Sequence, residues 1–368
     1  MKRSKKAHFR TYGIALGVTL IASASFLAWG SVYSANSVAF FRMATSSPVR
    51  ADAAPKPLDT VAYDRRMLQL ANYPAVPVAS STSASSTATS TPEKPKPWPV
   101  KTVYPNAGAL LPFNRIVAYY GNFYSKGMGV LGQYPEDVML QKLASTTAIW
   151  KAADPSTPVI PAIHYIVVTA QEAAQADGMY RLRMPDSQID KALELAEKIH
   201  GIVFIDFQVG KSTLQKELPQ YEKYLAMPNV HLGIDPEFSM KFGNKPGTVI
   251  GTFDAADINF AAQYLAKLVR DNKLPPKVLV VHRFTREMVT NYRQIAPLPE
   301  VQIVMDMDGW GFPAKKINTY NSVVAAEPVQ FTGFKLFYKN DLLPPSTALM
   351  TPAQLLKLQP QPIYIQYQ

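Results

Sequence analysis

The residues best suited to chemistry in this chain are acids and imidazoles at the carboxyl ends of short β-rich runs. In chain order those ends carry Tyr120, His164, Asp206 with Gln208, Asp235 with Glu237, His282, Asp306 with Asp308, Lys335 and Gln366. Side chains alternate along a strand, so Asp206/Gln208, Asp235/Glu237 and Asp306/Asp308 are i, i+2 pairs that each project to one side. Paired carboxyls suit cleavage of a glycosidic bond. One protonated acid donates to the leaving oxygen, and an ionised partner attacks the sugar or activates water. Glu237 is the candidate general acid, because its side chain is the longer of the pair and Asp235 raises its pKa by like-charge repulsion. Asp206 or Asp308 is the candidate base or nucleophile. Tyr120, Tyr124, Trp310 and Phe337 offer aromatic faces to sugar rings, with His164, Gln208, His282, Asp306, Lys335 and Gln366 as polar substrate contacts.

Other chemistries compete for the same residues. The chain has no cysteine, which removes thiol nucleophiles, disulfides, Cys-ligated zinc and Fe–S clusters. Asp206, Asp235, Glu237, His282 and Asp306 are hard oxygen and imidazole donors, so a metal-dependent hydrolase or phosphodiesterase holding a divalent ion is an alternative. No HxH or HExxH accompanies them, and outside that alternative no cofactor is expected. Lys335, a lone cation in Phe334-Lys-Leu-Phe-Tyr338, fits a Schiff-base enzyme. A barrel that binds glycan without cleaving it would carry much the same residues. Each acid also has a purely structural reading as the N-cap of the next helix, and each histidine as a satisfied core residue.

The elements that must position these groups alternate strand with helix. Eight β-rich runs, at 115–120, 159–167, 201–208, 230–237, 277–284, 301–308, 331–338 and 363–368, are separated by helical patterns. The helices are predicted at 135–153, 187–200, 212–225, 254–271, 285–295, 315–325 and 351–358. The fourth is the clearest: Asp254 and Asp257 form a capping pair ahead of Ile258, Ala261, Leu265 and Leu268 at helical spacing. Residues 115–368 number 254, against about 250 for a (β/α)8 TIM-type barrel, which is the predicted fold. An open doubly wound sheet is the rival. It would place a phosphate-binding turn after the first strand, and Gly121-Asn-Phe-Tyr-Ser-Lys-Gly-Met-Gly-Val-Leu-Gly132 matches neither common pattern.

The first hundred residues read differently. Residues 1–10 form a basic tail, and no charge falls between Arg10 and Arg42, so 11–35 is predicted to be a transmembrane anchor or a signal peptide ending near Ala28-Trp29-Gly30. The positive-inside rule then puts the N-terminus in the cytoplasm and the barrel, 101–368, outside the cell membrane, or secreted if the segment is cleaved. Residues 36–100, rich in Ser, Thr, Ala and Pro, are predicted to be a disordered stalk, interrupted by a short amphipathic helix at 58–73. The net charge of +11 invites a nucleic-acid reading. Most of that charge precedes the barrel, whose 268 residues carry only +3, so no nucleic-acid partner is expected. The expected partners are a carbohydrate or cell-wall polymer and, through the N-terminal helix, the cytoplasmic membrane.

The Asp-x-Glu ending of His231-Leu-Gly-Ile-Asp-Pro-Glu-Phe238 resembles chitinase-type glycoside hydrolases, departing from them upstream, where His231, Leu232 and Gly233 replace further acids. A wider resemblance runs from Ile116 to the last residue. Asp235-Pro-Glu-Phe238, Asp254-Ala-Ala-Asp-Ile-Asn259, Val281-His-Arg-Phe284, Met307-Asp-Gly-Trp310 and Ile365-Gln-Tyr367 together resemble a poorly characterised family of bacterial envelope proteins, often lipoproteins in actinobacteria. That resemblance implies an exported, distantly glycoside-hydrolase-like barrel with matching residues at Asp235, Glu237, His282 and Asp308, and it brings no established activity. Without a lipobox cysteine, this chain departs from the lipoprotein members in its anchoring.

Overall fold

The computed structural model describes residues 56–74 and 97–368. Eight parallel strands make up its centre: β1 Arg115–Gly121, β2 Val159–Ala170, β3 Ile202–Phe207, β4 Val230–Ile234, β5 Lys277–Arg283, β6 Val301–Met307, β7 Phe331–Leu336 and β8 Tyr364–Tyr367. Each pairs with its neighbour in chain order. β1 then pairs with both β2 and β8, Arg115 opposite Val159 and Ile116 opposite Tyr364. That second partner closes the sheet, which decides for the barrel against the open doubly wound sheet. The strands are apolar almost throughout because both faces are covered. A three-residue strand, Arg181–Arg183, adds antiparallel to the end of β2.

Two apolar layers hold the barrel together. Outward-facing residues such as Ile163, Ile205, Leu232, Leu279, Ile303 and Phe334 pack under the surrounding helices. The longest helices, numbered after the N-terminal helix α1 Thr60–Ala71, are α2 Glu136–Ala153, α3 Asp186–Lys198 and α4 Ala255–Asn272, followed by the shorter α5 Pro313–Thr319. α4 begins as predicted: Asp254 accepts from the Ala256 N–H, and Asp257 accepts from the Asp254 N–H at 2.8 Å. The barrel interior holds Ile116, Ala118, Phe204, Val280, Val304 and Phe331 in its lower half.

Several predicted helices differ. Residues 285–295 form no helix but a two-residue strand, Val289–Thr290, and a single turn, Tyr292–Gln294. The guanidinium of Arg283 takes the carbonyls of Thr285, Arg286 and Val289, which a helix would need for itself. The 212–225 pattern breaks into three short turns at Leu218-Pro219, and 351–358 shortens to Pro352–Leu355. After α5, the 315–325 pattern widens into a π-helix at Tyr320–Ala325.

The predicted stalk needs correction where it is described. The amphipathic pattern at 58–73 becomes α1, capped by Asp59 and ended at Asn72 in the left-handed region, φ 54°. Its Tyr63, Met67 and Leu70, with Trp98, close the amino end of the barrel against the interior layer. Hydrogen bonds hold this end: the Gln361 N–H donates to the Leu70 carbonyl of α1, and the Trp98 indole donates to the Gln330 carbonyl. The Tyr73 hydroxyl donates to the Trp98 carbonyl at 2.8 Å. Most of the Ser/Thr/Pro-rich run, residues 75–96, lies outside the described residues. The basic tail at 1–10 and the apolar span at 11–35 lie outside the described residues. Among the described residues no helix is long and apolar enough to cross a membrane.

A chain starting at residue 101 would therefore uncover the interior layer. Each large apolar side chain removed from burial costs about 1.5–3 kcal/mol, and four such losses approach the whole stability of a domain, about 5–15 kcal/mol. Thermal melts are expected to show a chain starting at residue 56 unfolding with the full protein, one starting at 101 aggregating or melting far lower, and Leu70→Ala costing roughly 2–5 kcal/mol. Equal melting of the two truncations would make α1 a passenger.

Candidate active site at the carboxyl end of the barrel

Above its apolar lower half the barrel interior turns polar. Asp206 on β3 is fully buried and holds three groups. Its Oδ2 accepts the Tyr120 hydroxyl at 3.0 Å, and its Oδ1 lies 3.2 Å from both His164 Nε2 and His282 Nε2. Two glycines make room for this layer. Gly233 pairs with Asp206 across β3 and β4, and a Cβ there would come within 2.2 Å of Asp206 Oδ1 and 2.3 Å of His164 Nε2. Gly333 pairs with Asp306 across β6 and β7, and a Cβ there would fall 2.5 Å from Asp306 Oδ1. Glycine inside a strand run is the signal that marks such a close approach. These two positions, with Tyr364, are the site-forming residues that the sequence reading missed.

The protonation states follow from this packing. The Gln366 amide donates to the Tyr364 hydroxyl at 2.8 Å, and that hydroxyl lies 2.6 Å from His164 Nδ1. If the hydroxyl donates onward, Nδ1 is the acceptor and Nε2–H points at Asp206. Burial pushes the His164 pKa down to about 4, so the ring is neutral. His282 goes the other way. Burial works against its charge, but Asp206, Asp306 and Asp308 outweigh burial and hold its pKa well above the ordinary value. The imidazolium sits between Asp206 and Asp308, with Nδ1 3.1 Å from Asp308 Oδ2. Burial raises the Asp206 carboxyl, yet His282 and His164 more than reverse that and keep it ionised.

The polar layer ends upward in a cavity of about 580 Å³ at the barrel mouth, lined by Tyr120, Gln208, Asp235, Glu237, Asp308 and Lys335 among others. Asp308 lies just past β6. Burial would raise its pKa, but Lys335, at 3.0 Å from Oδ1, and His282 hold it below the ordinary carboxylate value. Lys335 also stands 3.9 Å from the centre of the Tyr120 ring. Glu237 is the opposite case: burial first, then the charges of Asp235 and Asp308, push its pKa up to about 8. Its carboxyl makes no hydrogen bond among the described residues, while Asp235 accepts from the Glu237 N–H at 3.0 Å. Burial likewise takes Asp235 up to about 7. The rim is fixed by Asp341, which accepts from the Gly311 N–H, the Phe337 N–H and Lys316 Nζ at 2.7–2.9 Å.

The predicted residues divide by depth. Tyr120, Gln208, Asp235, Glu237, Asp308, Trp310, Lys335 and Phe337 line one cavity. Asp206, His164, His282, Asp306 and Gln366 are buried beneath it and absent from its walls. Asp306 accepts no hydrogen bond among the described residues; burial raises its pKa and it lies 3.5 Å from His282 Nδ1. Tyr124 points elsewhere: it is 66% exposed and off the cavity lining. For a metal, His164, Asp206 and His282 bring one donor atom each within 4.8 Å of one another. Those same atoms are joined by hydrogen bonds, and no described cavity reaches them. The set predicted from sequence, with Asp235, Glu237 and Asp306, does not assemble among the described residues.

No family model and no curated protein matches the chain. Among solved structures, it is similar to the Clostridial cellulose synthase subunit Z of Clostridioides difficile, with a TM-score of 0.34 and 8% identity over 69% of this chain and 92% of that one. It is also similar to a ruminal GH26 endo-beta-1,4-mannanase, with a TM-score of 0.33 and 12% identity over 69% of this chain and 58% of that one. The barrel itself rests on the strand pairing described above.

Two outcomes follow from the site's packing. Gly233→Ala is expected to cost at least the roughly 1–3 kcal/mol typical of overpacking, read as a fall in melting temperature, whereas Gly127→Ala, where a Cβ would meet nothing nearer than 3.9 Å, should cost less. The second concerns pH. Folded Glu237 keeps its proton up to about 8, whereas an unfolded glutamate loses it near its ordinary value, so stability falls as pH rises through that window. Glu237→Gln should therefore melt a few degrees above the parent at pH 9 and level with it at pH 4.5; a difference independent of pH would contradict the assignment.

Proposed function

We propose that the chain is a carbohydrate-active hydrolase, glycoside-hydrolase-like in mechanism, with Glu237 as general acid and Asp308 as base or nucleophile. The observation that supports this most is that the two carboxyls line one cavity with their pKa values pushed in opposite directions. At neutral pH one holds a proton to give and the other a charge to use, the division of labour that glycosidic cleavage requires. Glu237 donates to the departing glycosidic oxygen. Asp308, steadied by Lys335 and His282, attacks the anomeric carbon or takes a proton from the attacking water.

Asp206 enters this reading as a positioning residue in place of the base first considered, because Tyr120, His164 and His282 occupy it below the cavity floor. Tyr120, Gln208 and Asp235 would contact the sugar, and Trp310, 48% exposed at the rim, offers a stacking face. No resident metal is part of the mechanism. In this reading the barrel lies outside the membrane and acts on an envelope or extracellular polysaccharide, which the basic tail and apolar span of the N-terminal sequence support.

A second reading, a barrel that binds glycan without cleaving it, draws on one observation: both oxygens of Asp308 are engaged by cations. Turnover separates the two. On a panel of oligosaccharides Glu237→Gln should lower kcat by about 10²–10⁴-fold, with the loss largely restored on aryl glycosides whose leaving group needs no proton. Asp308→Asn should abolish turnover on both substrates. For the parent, the rate should fall as pH rises through about 8, and exhaustive chelation should leave it unchanged. An unaltered rate in Glu237→Gln would overturn the assignment, and no turnover by the parent on any substrate would favour the binding barrel.

A further inference from the structure

Beside the catalytic cavity lies a second chamber of about 520 Å³, within the roughly 300–1,000 Å³ range of ligand pockets. The two share Gly127, Phe337 and Gln368 as lining, so they adjoin at the barrel mouth. Gly127 adds no barrier at the junction, since even a Cβ there would meet nothing nearer than 3.9 Å. The second chamber is walled by Lys126 and Lys339, with the amides of Gln133 and Asn340 and the ring of Tyr134 between them. No acidic side chain lines it. The acids closest in sequence to its lining are Asp341, held by Lys316 at 2.7 Å, then Glu136, paired with Lys191 at 2.6 Å, and Asp137, and none of the three is among the lining residues.

Three cations gather on this side of the mouth. Lys126 follows β1, Lys339 follows β7, and Lys315, which lines the catalytic cavity, follows β6. Only β8 separates β7 from β1 in the barrel, so the three cations stand along one arc of the mouth. None has a carboxylate partner among the described residues, although Lys191, Lys223, Lys241 and Lys267 are each paired with one elsewhere. The acids nearest this arc are already committed: Asp341 to Lys316 and Asp308 to Lys335. A cleft lined by one sign of charge concentrates ligands of the other.

We propose that the second chamber is a subsite for an anionic sugar unit, so that the polymer entering the catalytic cavity carries carboxylate or sulfate groups. Lys126 and Lys339 face the anion, Gln133 and Asn340 offer amides to its hydroxyls, and Lys315 draws the chain across the Trp310 rim, where its Nζ already lies 4.7 Å from the ring centre. The inference names the substrate class for the hydrolase reading and rests on it for the cleavage step alone.

The test is binding to the full chain carrying Glu237→Gln, which removes cleavage from the measurement. The probes are galacturonic acid oligomers, the same oligomers with their carboxyls reduced to alcohols, and sulfated dextran oligomers. The charged forms are expected to bind roughly tenfold more tightly than the reduced ones, the scale that two solvent-facing charge pairs supply. The difference should vanish in Lys126→Ala/Lys339→Ala, survive in Lys198→Ala on the far end of α3, and shrink with added salt. Preference for the uronate over the sulfate, or the reverse, identifies which anion the subsite takes. Equal affinity for charged and reduced oligomers, or a preference that persists without both lysines, overturns the proposal. The hydrolase reading is judged separately on the parent chain: cleavage of neutral oligomers with no lysine dependence keeps the hydrolase and removes the subsite, whereas lysine-dependent binding with no cleavage keeps the subsite and removes the hydrolase.

Discussion

The buried carboxylate of Asp206 is the constraint on which the upper half of the barrel depends. One side chain, fully enclosed, accepts from Tyr120 and binds both His164 and His282. A buried anion without partners would be costly enough to take up a proton. This one is held ionised by an imidazolium, and the imidazolium is in turn stabilised by Asp308 on its far side. Lys335 then completes an alternating row of charges, Asp206, His282, Asp308 and Lys335, that sums to neutrality. Such a row tolerates no vacancy: removing one partner leaves a buried charge uncompensated. The acid that faces the cavity thus owes its ionisation to a network anchored one layer below.

The network is possible because the backbone yields space at two places. Gly233 and Gly333 stand directly across from Asp206 and Asp306 in the strand register. Side chains there would occupy the carboxylates' own volume. Elsewhere the interior is filled mainly by apolar groups, with His231 and Gln302 bonded to backbone among them, and the lower end is stopped by α1 and Trp98. The molecule is divided along its axis into an apolar plug, a charged layer and an open mouth.

Much of this division was legible in the sequence, and the failures have identifiable causes. The eight strands appear within two or three residues of their predicted ends because strands buried on both faces read as unbroken β-branched and aromatic runs. The capped helix α4 was legible from Asp254 and Asp257, whose side chains bond within their own turn. The 285–295 segment was not, because a side chain outside the window, the Arg283 guanidinium, captures its carbonyls. α1 was visible as a pattern but not as part of the domain, since its partners lie up to about 300 residues away in Ile363 and Tyr364. Nor could Tyr124 be told from Tyr120 by type: the first is exposed on a loop, the second lies in the charged layer.

The i, i+2 pairs show how far spacing alone can carry a mechanism. Two residues apart on a strand means the same side, but also roughly 6–7 Å of rise along it. Asp206 and Asp306 therefore fall one layer below Gln208 and Asp308, inside the barrel where the cavity does not reach. The second member of each pair reaches the mouth, as Glu237 does beyond Asp235, although Asp235 already borders the cavity. Partners then set protonation. The lower Asp206 is locked as an anion by two histidines, while Glu237 has no hydrogen-bonded partner for its carboxyl among the described residues and keeps its proton to about 8. Asp308 stands at the boundary, reached by cations from the layer below and by the cavity from above, and this is why it, and not Asp206, is the carboxylate that a substrate can meet.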